Sequence, residues 1–182
     1  ARLGSGRRPP YASWLAAGRG ESESVTRTTP ITGRTRVFGV IADPIGHVRA
    51  CEVFNPLFAA RGIDAVLVPL HVPAGRLPAA LDGFRALGNL GGVLVTIPHK
   101  EEVLDLVDEI GPQARLVGAA NIVRRDADGR LTAENFDGLG FVAGLEQAGH
   151  RVAGRRVLLV GAGGAGKAIA CALADARVGE LV

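Results

Sequence analysis

Methionine is absent from all 182 residues, and the chain begins at Ala1, so its start is expected to be processed or trimmed. No stretch of about 20 apolar residues occurs, which a membrane-spanning helix requires. The opening residues also lack the apolar run, roughly 7–15 residues long, of a secretory signal. Cysteine is scarce. Cys51 and Cys171 form neither a C-x-x-C pair nor any metal-ligand spacing, so both are expected to be small buried hydrophobes in a reducing cytoplasm, with no metal site. Acid is missing from the first 20 residues, which carry Arg2, Arg7, Arg8 and Arg19 within a net charge of +3. Nucleic-acid binding needs its basic face on a folded element with base contacts. This run lies instead in Gly, Pro and Ser-rich text without a period, and aromatics are only 4% of the chain. Residues 1–34 therefore read as a disordered or non-native leader, and nucleic acid is not an expected partner.

What is abundant is aliphatic. Hydrophobic residues make up 47%, enough for a real core. Val37 to Ile41 reads as a short buried strand running into the Asp43-Pro44-Ile45-Gly46-His47 loop. A helix is predicted over 51–61, with Pro56 in its first turn or at a kink. A strand follows at 65–72, a helix at 76–87, a strand at 92–96 and a third helix at 101–110. Two extended runs, 121–125 and 130–134, flank Asp128-Gly129 as a hairpin. A helix follows at 138–148, a strand at 156–160, a helix to about residue 174, and the opening of another strand at Leu181 and Val182. Strands alternating with helices predict an α/β fold with a mostly parallel sheet, followed by the start of a Rossmann-type unit.

Three segments carry chemistry. Gly161, Ala162, Gly163, Gly164, Ala165 and Gly166 match G-x-G-x-x-G between a strand and a helix. In that setting the glycines permit a tight turn, close backbone approach to a pyrophosphate, and helix–strand packing. The plainer alternative is an ordinary strand–helix turn. In LVTIPHK, residues 94–100, an apolar strand delivers Thr96, Pro98 and Lys100 to the mouth of a helix. A cation is disfavoured there by the helix dipole, so Lys100 either snorkels to solvent or is held for proton transfer. Asp137, just before a helix, is by default an N-cap; its carboxylate could instead face Lys100. Asn121 reads as a turn residue opening the hairpin.

Taken in order, ADPIGH, LVTIPHK, GAANIV, AENFDGLGF and GAGGAGKA resemble the shikimate dehydrogenase family. That family shows G-x-P-x-x-H, N-V-T-x-P-x-K, G-A-x-N-T, G-x-N-T-D-x-x-G and G-A-G-G-x segments in this sequence order. The resemblance covers residues 35–182. It implies a substrate-binding domain over 35–136 and an incomplete NADP-binding Rossmann domain over 137–182, with the active site in the cleft between them. It further implies Lys100 as the catalytic lysine, Asp137 as its carboxylate partner, and Asn121 and Thr96 as holders of substrate hydroxyls. Gly161 to Gly166 would cradle the cofactor phosphates. The implied reaction is hydride transfer between NADPH and 3-dehydroshikimate; the residues themselves leave NAD open.

The chain departs from the family at several positions. Where the family has Ser-x-Ser-Pro after its loop histidine, this chain has Val48-Arg49-Ala50-Cys51. Both hydroxyls are gone. Arg49 either replaces them with a charge-assisted carboxylate contact or is a surface arginine. Phe136 stands where the family has Thr. Shikimate, quinate or a related cyclic hydroxy acid are the expected substrates, with a non-catalytic homologue as the alternative. The strand that would carry the ribose-reading residue, about 20 residues beyond the glycines, is not reached. A fragment or truncated product, weak or inactive alone, is therefore expected.

Overall fold

The computed structural model describes residues 30–182; the rest of the expected leader, residues 1–29, lies outside the described residues. At the boundary of leader and domain Thr32 and Thr35 form a hydrogen-bonded turn. The first strand, β1 (Arg36–Ala42), is exposed at its start and buried over its last four residues. It pairs in parallel with β2 (Ala65–His71) on one side and β3 (Leu90–Val95) on the other. A strand covered on both faces reads as a continuous apolar run, and VFGVI does so. Two helices lie between these strands, α1 (Ala50–Ala60) and α2 (Leu77–Ala86). Leu77 and Leu81 of α2, one turn apart and thus on one face, meet Ile41, Val95 and Val103 in the core.

Antiparallel strands complete this sheet. β5 (Ile122–Arg125) and β6 (Leu131–Glu134) form the hairpin expected at Asp128-Gly129, and β5 runs antiparallel to β3. Gly92 permits that approach. Its φ is +151°, and a Cβ there would stand 2.4 Å from the Val123 carbonyl oxygen. With β4 (Glu109–Ile110) beside β6, the strand order is β2-β1-β3-β5-β6-β4. At the β2 edge, the Asn55 amide of α1 accepts from the Leu67 N–H at 2.8 Å and donates to the Leu67 carbonyl at 3.0 Å. An edge strand presents unpaired backbone groups, and one side chain satisfies two of them. The rest of the described chain is α4 (Asp137–Gln147), β7 (Arg156–Val157), α5 (Gly164–Asp175) and β8 (Glu180–Leu181), with β7 and β8 parallel. The fold class is α/β with a mostly parallel sheet, followed by the start of a Rossmann-type unit.

Several local expectations are corrected. No helix spans 101–110. A 3-10 helix covers Glu102–Leu106, β4 follows, and an unforeseen helix α3 covers Pro112–Val117. The apolar spacing of EVLDLVDEI suits a helix. However, Glu109 and Ile110 pair with Thr132 and Ala133, and Pro112 pushes its predecessor Gly111 into extended backbone. The first turn of α3 is capped from a distance, Glu134 accepting from the Ala114 N–H at 2.7 Å. The strand expected over 156–160 is regular only at Arg156–Val157; the Leu159 N–H still donates to the Val182 carbonyl at 2.7 Å, while Leu158 and Val160 are exposed. Pro56 is the seventh residue of α1, beyond its first turn. Both cysteines are half-buried, not buried, and desolvation pushes the Cys51 thiol above its usual pKa.

A charged knot closes the hairpin side of the sheet. Arg125 donates to the Arg85 carbonyl at the end of α2 at 2.8 and 3.0 Å, where a cation suits the helix dipole. Arg85 in turn pairs with Asp108, which also accepts from the Leu131 N–H at 2.7 Å. The Arg85 hydrogen bond, followed by that of Leu131, holds the Asp108 carboxyl below its ordinary pKa. A pKa depressed by folding adds stability above the unfolded value, and that stability is lost as pH falls through the folded value. Asp108→Asn is therefore expected to lower the urea midpoint at pH 7, with the gap narrowing once the pH drops below about 4. Denaturation at pH 7 and pH 3 measures it.

Candidate active site

The parallel strands β1 and β3 end at the same edge of the sheet, and the site is built there. The Thr96 N–H donates to Ile41 and the Asp43 N–H to Ile97, so the loop after β1 lies against the turn after β3. That turn, Thr96 to Lys100, contains a cis peptide bond before Pro98. Asp43 accepts from His71 Nε2 and from the Ala74 N–H, both at 3.0 Å, and these two contacts hold its carboxyl below the usual range.

His99 anchors the turn. It is completely buried, and its Nε2 lies 2.7 Å from the Val72 carbonyl. A carbonyl only accepts, so Nε2 carries the proton. Nδ1 has no hydrogen-bond partner, the Glu102 carboxylate standing 3.7 Å away. The next residue is Lys100, whose carbonyl accepts from the Ala120 N–H at 2.7 Å. Its Nζ donates to Asp137 Oδ2 at 2.5 Å, and Asn121 Nδ2 donates to the other carboxylate oxygen, Oδ1, at 2.6 Å. Both oxygens of Asp137 are thus engaged. The Lys100 and Asp137 side chains are only 16% and 25% exposed. An ammonium has three donors, so two remain free for another acceptor.

Asp137 is the first residue of α4 and does not cap it, contrary to the default expectation. Its own N–H donates to Asn135 Oδ1 at 3.0 Å, while Asn135 Nδ2 donates to the Ala119 carbonyl. Asn121 Oδ1 accepts from the Phe136 N–H. Asn135 serves the helix end, and the Asp137 carboxylate is left to face Lys100. The expectation that Lys100 stands at a helix mouth also changes, since only a five-residue 3-10 helix follows it.

The glycine turn lies against this pair. Gly161 has φ +106°, and a Cβ on Gly166 would stand 2.3 Å from the Gly161 carbonyl oxygen. The N-cap of α5 is Gly163, in extended backbone with no side-chain cap. Nothing lies within 4 Å of where a Cβ on Gly161 or Gly163 would sit. A side-chain-free turn opening on uncapped helix N–H groups fits a pyrophosphate. At Gly164 a Cβ would lie 3.5 Å from Lys100 Cδ and 3.3 Å from Ala119 Cβ. Helices α4 and α5 are in backbone contact, a Cβ on Gly138 falling 2.0 Å from the Ala168 carbonyl oxygen.

The fold thus brings Lys100, Asp137 and Asn121 into contact beside Gly164, with Thr96 half-buried at the end of β3. Arg49 is not drawn in. Its side chain is 79% exposed and paired with Glu52. His99, Asn135 and Gly138 were not singled out by sequence. His99 stands inside LVTIPHK, but only its burial separates it from a loop residue.

Fold and site define the class: a mixed-sheet α/β substrate-domain fold joined to the opening unit of a dinucleotide-binding fold. Residues 40–123 match the family model described as shikimate dehydrogenase substrate binding domain. The chain is 45% identical over 156 residues to the shikimate dehydrogenase (NADP(+)) of Symbiobacterium thermophilum, covering 85% of this chain and 52% of that one. Its structure is similar to a shikimate 5-dehydrogenase of Listeria monocytogenes in complex with shikimate and NAD, with 40% identity, TM-score 0.77 and coverage of 85% and 53%. It is also similar to the 5-ketofructose reductase of Gluconobacter sp. strain CHM43, with 35% identity, TM-score 0.74 and coverage of 82% and 53%. Over most of its length the chain is similar to the shikimate dehydrogenase family, and it spans about half the length of these relatives.

Proposed function

We propose that this chain supplies the substrate-binding domain, residues 35–136, and the opening of the NADP-binding domain, residues 137–182, of a shikimate dehydrogenase. The activity is the reversible reduction of 3-dehydroshikimate to shikimate. The observation that carries this reading is the Lys100–Asp137 ion pair, little exposed and in contact with the glycine turn.

In this reading the Lys100 ammonium gives a proton to the ring oxygen as ketone becomes alcohol, and takes it back in the oxidation. Asp137 holds the amine in place and balances its charge. An arginine could make the same ion pair but would not surrender a proton. The cofactor, when bound, supplies the hydride. Asn121 retains a second amide hydrogen, and Thr96 its hydroxyl, for the substrate's hydroxyls. Gly161, Ala162, Gly163, Gly164, Ala165 and Gly166 offer the cofactor phosphates backbone alone. Arg49, exposed and paired with Glu52, takes no part in this reading. Among the described residues no helix is long and apolar enough to cross a membrane, and two free cysteines suit a reducing cytoplasm.

A second reading keeps the reaction and changes the substrate to quinate or another small polyhydroxylated ketone or alcohol. It is favoured by Val48, Ala50 and Phe136, which stand where the family has hydroxyls, and by the outward pairing of Arg49. A site that selects by hydrogen bonds discriminates strongly by them. Calorimetric titration of the chain with shikimate, quinate and 5-ketofructose separates the readings. Shikimate is expected to bind most tightly. Asn121→Ala is expected to weaken it about tenfold, the equivalent of roughly 1.4 kcal/mol. Binding of another candidate without shikimate would establish the second reading.

A further inference from the structure

Only two of the 21 basic residues are lysines, Lys100 and Lys167; the rest are arginines. Both lysines lie at this site, in adjoining ion pairs. Lys100 donates to Asp137, and Lys167 donates to Glu101 Oε1 at 2.8 Å. Glu101 directly follows Lys100, and Lys167 is the fourth residue of α5, in the turn opened by the glycines. A cation in the first turn of a helix opposes the helix dipole, so the charge of Lys167 does not serve α5 itself. Its partner lies 66 residues earlier in the chain, on the segment that carries Lys100. Gly164 meets the Lys100 side chain at the same junction.

We propose that Glu101 and Lys167 are positioning residues, a polar latch that seats the glycine turn against Lys100 and keeps the amine in register with the dinucleotide site. The catalytic meaning of the latch rests on the function proposed above; its geometry does not. The pair is about half exposed, so it tunes the seat without making it. Gly164 lies beside Lys100 and Ala119, and Ala168 of α5 packs with Val117 and Ala119.

Having only two lysines makes the test site-resolved. Trace acetylation of the whole chain with an amine-reactive ester, read by mass spectrometry, reports Lys100 and Lys167 separately. Lys167→Gln is expected to raise the Lys100 labelling rate about threefold. Glu101 stays in place in this variant, and the direct field of the lost cation works in the opposite sense, so a rise reports a looser seat. Glu101→Gln is expected to raise both lysines. Glu101→Arg with Lys167→Glu is expected to return Lys100 towards its original rate, the restoration fading in 1 M salt as exposed charges are screened. Asp137→Asn, which frees the amine directly, sets the scale of the readout, and circular dichroism verifies folding of each variant. A Lys100 rate unchanged in Lys167→Gln, while Asp137→Asn raises it, would overturn the latch. Absence of shikimate binding to the unmodified chain would overturn the proposed function and leave the labelling result standing.

Discussion

Lys100→Arg is expected to lower kcat/KM for shikimate oxidation by about a thousandfold, within the 10²–10⁴ range of general acid–base contributions. The guanidinium keeps the positive charge and a partner in Asp137, so electrostatic attraction to the substrate survives. What is lost is a side chain able to give up a proton and take it back. The loss is therefore expected in kcat, with substrate affinity changed by less than about tenfold. Because arginine is bulkier and Gly164 packs on this side chain, Lys100→Met serves as the smaller companion and is expected to lose at least as much. Adding Asp137→Asn to either is expected to cost little more, since Lys100 and Asp137 act as one unit. The rates are to be read in a protein carrying a cofactor domain of the length found in the relatives, and the affinities in the 182-residue chain. A Lys100→Arg enzyme within tenfold of the parent would remove the lysine from the proton transfer.

Gly138→Ala is expected to destabilise the chain by about 3 kcal/mol or more, at the upper end of overpacking costs. The obstacle is backbone. The new Cβ would fall 2.0 Å from the Ala168 carbonyl oxygen and 2.9 Å from Ala172 Cβ, and neither can rotate away as a flexible side chain would. Helices α4 and α5 must separate, and Asp137, one residue earlier, moves with α4. Gly144→Ala is the matched control. It lies in the same helix with nothing within 4 Å, where alanine favours the helix by roughly 0.5–1 kcal/mol. Thermal unfolding is expected to show Gly138→Ala melting about 10 °C lower and Gly144→Ala unchanged or slightly higher. Equal melting of the two would show that α4 and α5 are not in backbone contact.

The strands and helices that obey one period were legible in the sequence. VFGVI, the Asp128-Gly129 hairpin and the strand–glycine–helix order at 156–175 specify their own conformation through local sterics and through the faces they must bury. The residue types of the site were legible too, but through the order of the family-like segments, since an aspartate ahead of a helix reads by itself as an ordinary N-cap. Residues 109–117 were not legible. Their strand and helix depend on pairing with β6 and on a cap from Glu134, partners some 20 residues away that no local window contains.

The same holds for what each site residue does. Sequence offered Asp137 as a helix cap or a lysine partner, and Arg49 as a carboxylate ligand or a surface charge. Only the fold, by placing Asn135 on the Asp137 N–H and Glu52 beside Arg49, chose which of their groups face one another. Local sequence determines backbone preference because its forces act over a few bonds. The meeting of an amine, a carboxylate and a glycine turn far apart in the chain depends on how helices α4 and α5 pack against each other and against the segment that carries Ala119, a property of the packed molecule alone.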